Sequence, residues 1–331
     1  MPLAELHCHI EGAAPPALVA RLAGKHGIDV SGIIRDGAYV WHDFTSFIAA
    51  YDHASTVFKS EEDYADLAFA HLTGLAAEGA LYAEFFISPD HAQAGGTEPE
   101  IYARGLAAGI ARAKRESGIE ARMIVVGVRH LGPEAVEAAA RFATGPGRPL
   151  ITGFNLAGDE RIHHPKDFAR AFDIARDAGL GLTAHAGELC GPESVRAAIE
   201  WLKPSRIGHG VRSIEDPALV AEIVENDIVL EVCPGSNLAL DVYPDIASHP
   251  LKKLVEAGVK ATLGADDPPF FHTDLAREYR LAAENGLGDG ERIALTRNAL
   301  EAAFVEEDVR YALLNRFQIA ALSLGAPATS D

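Results

Sequence analysis

Short apolar runs alternate along the chain with longer stretches in which apolar residues recur at steps of three and four. A continuous apolar run is typical of a buried strand, whereas the step of three and four is the period of a helix. The runs cover residues 4–10, 81–87, 122–128, 151–156, 181–186, 205–208, 228–232 and 261–264. Clear helical stretches cover residues 133–142, 166–178, 193–202, 217–225 and 250–257. Strand followed by helix, eight times, predicts an α/β fold of the (β/α)8 TIM-barrel type.

An open, doubly wound sheet would show a similar alternation of strands and helices. Such a sheet often carries a GxGxxG loop after its first strand, and this sequence has none there. A length of 331 residues suits a barrel, and no linker divides the chain. We therefore expect one barrel domain over residues 1–331.

The interval over residues 11–80 is too long for one crossover helix, so we expect a helical insertion over the barrel mouth. Within it, Phe44, Phe47, Ile48 and Tyr51 share one helical face. This face either packs against the barrel or forms an apolar lid over a substrate. Beyond the barrel, helices are predicted over residues 275–284, 290–303 and 307–324, followed by a frayed tail over 326–331.

The charge balance narrows the class of partner. Lys and Arg number 29 against 48 Asp and Glu, which gives a net charge of −19 and argues against a nucleic-acid polymer. The three cysteines form no CxxC pair, which favours a reducing compartment, and the chain has neither a signal-peptide pattern nor an apolar run of membrane-spanning length. We expect a cytoplasmic protein that acts on a small molecule, as a monomer or a homo-oligomer.

Polar residues cluster where the predicted strands end. The carboxyl ends of barrel strands converge on one mouth, where active sites of this fold lie. The residues at these ends are His7, His9, Glu11, Asn155, Gly158, Asp159, Glu160, His185, Glu188, His209, Asp266 and Asp267. The remaining histidines are expected outside the site, although His130 and His272 come nearer to the mouth than the others do.

The first strand carries His7 and His9 two residues apart, so both imidazoles point to one side. Together with His185 and a carboxylate from Asp266 or Asp267, they could surround one divalent ion such as zinc. Such an ion lowers the pKa of a bound water from 15.7 to about 7. Core packing and helix capping are the alternative interpretations for each of these residues taken singly.

Two further groups at the mouth could move protons. His209 lies between glycines that allow other atoms to approach closely, and the aspartate that does not bind the ion could orient a water. Glu188 could donate a proton if burial raises the pKa of its carboxyl group.

Five motifs make this pattern specific: residues 7–12 (HCHIEG), 156–160 (LAGDE), 185–188 (HAGE), 207–210 (IGHG) and 265–268 (ADDP). In order and type they resemble the motifs of the adenosine deaminase family, the zinc-dependent deaminase branch of the amidohydrolase superfamily. The predicted lid and carboxyl-terminal helices resemble that family too. The resemblance implies one zinc ion per chain, held by His7, His9, His185 and Asp266.

The same resemblance implies a mechanism. Glu188 would protonate purine N1, and His209 and Asp267 would help to orient and deprotonate the zinc-bound water that attacks C6. Adenosine would give inosine and ammonia, and 2′-deoxyadenosine would be deaminated in the same way to 2′-deoxyinosine. The implied substrate contacts are His9, Glu11 near the ribose, the backbone of Gly158 at N3, Asp267 at N7, and the lid residues Phe44, Phe47 and Tyr51.

Departures from the family pattern leave the substrate open. Glu11 stands where Asp is usual, as it does in related adenine deaminases, and Asn155 replaces another usual Asp. Adenine, an N6-substituted adenine or another adenosine derivative is therefore the alternative substrate. An inactive purine-binding protein is the alternative from a different class, but no expected ligand and no acid is missing. A binuclear hydrolase would need a lysine within residues 151–156, and a cytidine-deaminase-type site would need PCxxC; both are absent.

Overall fold

A closed ring of parallel strands organises the chain. The computed structural model describes residues 1–145 and 150–323. The strands are β1 (Leu3–Glu5), β2 (Ile34–Arg35), β3 (Ala38–Tyr39), β4 (Ala80–Ile87), β5 (Glu120–Val128), β6 (Ile151–Ala157), β7 (Gly181–Ala186), β8 (Arg206–His209), β9 (Val229–Val232) and β10 (Ala261–Leu263). Eight of them pair in the order β1-β4-β5-β6-β7-β8-β9-β10, so the predicted TIM-type barrel is confirmed.

Helices follow the strands around the outside of the barrel. They are α1 (Pro16–His26), α2 (Phe44–Ser55), α3 (Glu61–Glu78), α4 (Pro89–Ala94), α5 (Pro99–Ser117), α6 (Pro133–Ala143), α7 (Ala169–Asp177), α8 (Pro192–Leu202), α9 (Pro217–Glu225), α10 (Pro234–Ala239), α11 (Leu251–Glu256), α12 (Pro268–Phe271), α13 (Leu275–Glu284), α14 (Asp289–Ala302) and α15 (Glu307–Ser323). Among the described residues, none of these helices has both the length and the apolarity needed to cross a bilayer.

The interval over residues 11–80 contains more than helices. It holds α1, α2 and α3, and between α1 and α2 the antiparallel pair β2–β3, which the sequence analysis did not predict. Helix α2 begins after Asp43, whose side chain accepts from the Ser46 N–H at 2.7 Å in a capping box. The predicted tail over residues 326–331 lies outside the described residues, and the assignment of the whole chain to one domain stays a prediction.

The first and last strands meet through the ends that carry candidate site residues. A strand was predicted over residues 4–10, but β1 is regular only over Leu3–Glu5, and its register against β4 shifts between Leu3 and Ala4. Beyond it, the Asp266 N–H donates to the His7 carbonyl and the His9 N–H donates to the Asp266 carbonyl, each at 2.9 Å. These bonds join the ends of β1 and β10 and so close the barrel at its mouth.

A buried cation sits inside the ring. The Arg206 side chain is 1% exposed, and its Nη2 donates to Glu84 Oε2 at 2.7 Å while its Nε lies 2.6 Å from Glu231 Oε1. The guanidinium also packs 3.6 Å from the ring centroid of Phe304 and donates to the Ala302 carbonyl. Two buried carboxylates on neighbouring and opposite strands thus share one positive charge, as burial of charge requires.

Replacing Arg206 should therefore destabilise the barrel strongly. We expect Arg206→Met to lower the free energy of unfolding by about 3–5 kcal/mol, because Glu84 and Glu231 would lose their buried counterion. Urea unfolding in the presence of a chelator measures this without a contribution from bound metal. The matched control is Arg115→Met at an exposed position of α5, for which a change within about 0.5 kcal/mol is expected. Equal losses in the two variants would contradict the role of Arg206.

Candidate functional site

A pocket opens at the carboxyl ends of the strands, and most of the predicted site residues line it. Its walls include His9, Glu11, Phe44, Phe47, Tyr51, Gly158, His185, Glu188, His209, Asp266 and Asp267. His7 lies beneath the pocket floor and is completely buried. The structure therefore gathers residues that are separated by more than 250 positions in the sequence around one cavity.

Three imidazoles and a carboxylate converge at the floor. Oδ1 of Asp266 lies 3.5 Å from Nε2 of both His7 and His9, and His9 Nε2 lies 3.3 Å from His185 Nε2. His209 is also close, because donor atoms of His7, His185, His209 and Asp266 all lie within 4.8 Å of one another. The distances alone leave His9 and His209 as competing candidates for the third imidazole of a metal site.

Two of the buried imidazoles, those of His7 and His185, can direct the lone pair of Nε2 toward a divalent cation. Nε2 of His7 is buried and has no hydrogen-bond partner, while its Nδ1 lies 2.8 Å from Glu231 Oε2. A carboxylate can only accept, so Nδ1 carries the proton and the Nε2 lone pair faces the cluster. His185 Nδ1 likewise lies 3.3 Å from the Asn155 side-chain amide, which can accept from it. Imidazole nitrogens with one carboxylate oxygen are donors that zinc prefers.

Backbone conformation helps to crowd these groups together. His209 and Asp266 have φ values of 59° and 61°, in the left-handed region that residues with side chains rarely adopt. Gly208 leaves the space that the imidazoles fill, because a Cβ there would lie 2.8 Å from Cε1 of His7. The strained backbone at His209 and Asp266 and the glycine at position 208 allow these side chains to lie close together.

Glu188 lies on a turn that is held by another carboxylate. Glu160 accepts from the backbone N–H groups of residues 187–190, at 2.5–3.1 Å, and from the Ser194 hydroxyl. Burial, reinforced by the negative charges of Asp266 and Glu160, raises the pKa of Glu188 well above its usual range. A turn fixed in this way presents a protonated carboxylic acid to the pocket.

Asp267 faces the same cavity from the loop after β10. A Cβ at Gly12 would lie 1.6 Å from Asp267 Oδ1, so the glycine of the first motif makes room for this carboxylate. Oδ1 is buried without a hydrogen-bond partner. Burial and the negative charge of Asp266 raise the pKa of Asp267. A bound divalent cation would act in the opposite direction and favour the ionised form.

Glu11 forms a second polar centre in the pocket together with two tyrosines. Its carboxylate is 3% exposed and accepts from the Tyr102 hydroxyl through Oε1 and from the Tyr51 hydroxyl at 3.2 Å through Oε2. Burial raises the pKa of Glu11. The two tyrosines fix the carboxylate but leave acceptor capacity for a ligand, since a carboxylate has about four lone-pair sites.

The aromatic face of α2 packs against other aromatic rings and also lines the pocket. Phe47 is 4% exposed, with its ring 4.9 Å from the ring of Phe271 and 5.6 Å from that of Phe270. Phe44 and Tyr51 lie on the same face and reach the same pocket. Core packing and a wall over the pocket are therefore two aspects of one helix face.

The expectation that His91 lies outside the site is wrong. His91 is on α4, immediately after β4, and lines the pocket with Ser88 and His130. Its Nδ1 lies 2.7 Å from Ser88 Oγ and its Nε2 lies 3.0 Å from Asp52 Oδ1. The position of residues 88–91 directly after a predicted strand was a signal that could have identified them. His272 is not among the lining residues that the described part of the chain provides.

Several supporting residues were not recognised as such in the sequence. Asn155 was noted as a polar residue at a strand end that departs from the family pattern, Glu160 as part of the motif over residues 156–160, and Glu231 was not noted at all. A glutamate within the apolar run over residues 228–232 was the available signal for Glu231, because a buried charge needs a partner. Nothing local in the sequence indicates which histidine that partner is.

Comparisons with known proteins agree with the geometry. The adenine deaminase of Chelativorans sp. (strain BNC1) is 59% identical over 316 residues, which cover 95% of this chain and 97% of the relative. The crystal structure of adenine deaminase from Arthrobacter aurescens superimposes with a TM-score of 0.90 at 28% identity, over 97% of this chain and 99% of that chain. An amidohydrolase from Burkholderia ambifaria, solved with bound Zn, has a TM-score of 0.87 at 25% identity, over 99% of this chain and 93% of that chain.

The family assignment follows from a family profile that matches almost the whole sequence. The profile of the family described as adenosine deaminase matches residues 2–320, which is nearly the whole sequence. The family consists of metal-dependent amidohydrolases, and the buried imidazole and carboxylate donors can hold such a metal. This protein belongs to the adenosine deaminase family and is a deaminating hydrolase on a TIM-type barrel.

Proposed function

We propose that the protein hydrolyses adenine to hypoxanthine and ammonia with one bound zinc ion. The sequence motifs favoured adenosine as the substrate and kept adenine as the alternative. The relatives support the alternative, since the protein from Chelativorans that is 59% identical to this chain is named adenine deaminase. Conversion of adenine consumes one water and exchanges the C6 amino group for an oxygen.

The Glu11 carboxylate is the observation that carries the choice of adenine. Free adenine has an N–H at N9, whereas adenosine has a ribose carbon bonded to that nitrogen. A buried acceptor fixed by Tyr51 and Tyr102 suits an N–H donor, and it would oppose the bulk and the missing proton of a nucleoside. Glu11 is proposed to accept the N9 proton of adenine in a hydrogen bond, rather than to contact a ribose.

The remaining roles concern the other end of the ring. Glu188 is proposed to donate its proton to N1, which makes C6 more electrophilic, and its raised pKa keeps that proton available near neutral pH. Asp267 is proposed to accept a proton from the attacking water and to face N7, and the backbone of Gly158 to face N3. His7, His9, His185 and Asp266 would hold a divalent cation, which would supply the Lewis acidity needed to activate water.

An inactive purine-binding protein is the less favoured alternative. A protein that had lost catalysis would be free to lose a donor atom or the acid. All four proposed metal donors and Glu188 are present around one pocket, with an ordered turn behind the acid. N6-substituted adenines remain the second candidate substrates, because they differ from adenine only at the leaving group.

A substrate panel tests the proposed function. Zinc-loaded protein is assayed by ultraviolet absorbance with adenine, adenosine, 2′-deoxyadenosine and N6-methyladenine. We expect kcat/KM for adenine to exceed that for adenosine by about 10²-fold or more, because only adenine offers Glu11 an N–H. Glu11→Gln should reduce this ratio. Turnover of adenosine at least as fast as adenine would overturn the assignment.

Removal of the acid should abolish turnover while leaving the fold intact. We expect Glu188→Gln to lower kcat for adenine by about 10²–10⁴-fold, because an amide cannot donate the N1 proton as an acid. Metal content and the midpoint of thermal unfolding check that the site persists. Glu225→Gln, at an exposed position of α9, is the matched control and should leave kcat unchanged. A rate close to that of the unmodified protein in Glu188→Gln would exclude Glu188 as the acid.

Loss of the carboxylate ligand should release the metal. We expect Asp266→Ala to bind zinc much more weakly, because one of four donors is missing and three imidazoles gain no replacement. Elemental analysis of purified, dialysed protein measures the zinc content. Asp177→Ala, at an exposed position of α7, serves as the control and should keep its metal. A full equivalent of zinc retained by Asp266→Ala would place Asp266 outside the ligand set.

A further inference from the structure

A buried chain of hydrogen bonds runs from the start of α11 to the back of His209. The Leu251 N–H donates to Nδ1 of His249 at 3.3 Å, and Nε2 of His249 lies 3.1 Å from Oδ1 of Asn237. Nδ2 of Asn237 lies 3.4 Å from Nδ1 of His209. We infer that Asn237 and His249 are positioning residues that fix the tautomer of His209, so that neutral His209 presents an N–H to the active site. This inference deepens the proposed function and rests on it for its catalytic meaning.

The first hydrogen bond of the series determines which atom donates and which accepts in each of the others. A backbone N–H can only donate, so His249 Nδ1 must hold its lone pair there and neutral His249 carries its proton on Nε2. That proton is donated to the Asn237 carbonyl oxygen, which turns the Asn237 NH₂ group toward His209. Reversing the amide would place NH₂ hydrogens against the Nε2–H of His249, so only one orientation satisfies every link. His209 Nδ1 therefore accepts, and its proton lies on Nε2.

The residues of the hydrogen-bond chain are buried, and neighbouring groups hold them in place. Asn237, His209 and His249 are at most 2% exposed. Burial lowers the pKa of His249 to about 4, which favours the neutral ring that the hydrogen-bond chain requires. The Tyr243 ring packs edge-on against His249 at 5.1 Å. Neutral imidazoles have two possible tautomers, and the hydrogen-bond chain selects between them.

His7 has the opposite arrangement. Its Nδ1 faces the carboxylate of Glu231, which can only accept, so the lone pair of His7 lies on Nε2 and is available to a cation. The Nδ1 of His209 instead faces an amide donor, so its Nε2 has a proton and no lone pair. The imidazoles of His7 and His209 therefore differ in which nitrogen atoms are available as acceptors, because one ring faces a carboxylate and the other faces an amide donor. This assigns His209 to hydrogen-bond donation and leaves His9 as the third imidazole of the metal site.

A consequence for the reaction follows. Nε2 of His209 lies 3.6 Å from Oε2 of Glu188 and 3.9 Å from Oδ2 of Asp266, so it points into the reacting region. An N–H there can donate a hydrogen bond to the oxygen that adds to C6, but it cannot take a proton from water. Proton acceptance then falls to Asp267 alone, and His209 stabilises developing negative charge on oxygen.

The tautomer can be read directly, without turnover. Protein labelled with ¹⁵N-histidine and loaded with zinc is studied near pH 7 by long-range ¹H–¹⁵N correlation, with His209 assigned by its loss in His209→Gln. We expect the protonated nitrogen of His209 to be Nε2. Asn237→Asp should move the proton to Nδ1, because an acceptor-only group then faces that atom. A proton on Nδ1 in the unmodified protein, or no change in Asn237→Asp, would overturn the inference.

Kinetics with adenine provide the second readout. We expect Asn237→Asp to lower kcat by about 10²-fold with little change in KM, because the donor to the developing oxyanion is lost. His249→Gln, which keeps a donor for the Asn237 oxygen, should retain more activity than His249→Leu, and zinc content should remain at one equivalent. Asn315→Asp is the matched control on α15. If adenine is not a substrate, the kinetic test fails but the tautomer measurement still decides the inference.

Discussion

The guanidinium of Arg206 is the constraint on which the active site depends. It neutralises Glu84 and Glu231 within the barrel, where an unpaired carboxylate would take up a proton. The pKa of Glu231 is lowered, because the charge of Arg206 and the hydrogen bonds from His7 and Thr183 outweigh the opposing effect of burial. An ionised Glu231 can only accept, and that fixes which nitrogen of His7 faces the donor cluster. The orientation of the His7 imidazole at the mouth thus depends on the charge of Arg206 inside the barrel.

The same principle recurs around the pocket. The groups proposed to react are each oriented by a polar group behind them: His185 by Asn155, His209 by Asn237 and the turn bearing Glu188 by Glu160. The amide behind His209 bears on which of its nitrogen atoms carries the proton, whereas Glu160 fixes the position of the turn that bears Glu188. The proposed site uses an acid, a proton acceptor and a hydrogen-bond donor. Groups with such different tasks need different surroundings. Membership of the adenosine deaminase family gives the reaction type, whereas these supports give the direction of each proton.

The sequence was informative where a local pattern carries the structure. Alternating runs predicted the barrel, and residues such as His185 and Asp266 at the ends of those runs predicted where a site would form. It was uninformative where meaning comes from a partner distant in the chain: Glu231 lies 224 positions from His7, and the function of Asn237 depends on the ring of His249. Substrate choice was also beyond it, because Glu11 has the same chemistry whether it meets a ribose hydroxyl or a purine N–H. The proposed role of Glu11 depends on Tyr51 and Tyr102, which hold its carboxylate in place.

The backbone bonds between His7, His9 and Asp266 close the barrel, and the side chains of these residues are the proposed ion ligands. Occupancy of the centre and integrity of the ring are therefore coupled thermodynamically: an ion that binds only the closed form adds its binding free energy to closure. Removal of the ion would then weaken the junction of β1 and β10, and the barrel would be more easily opened there.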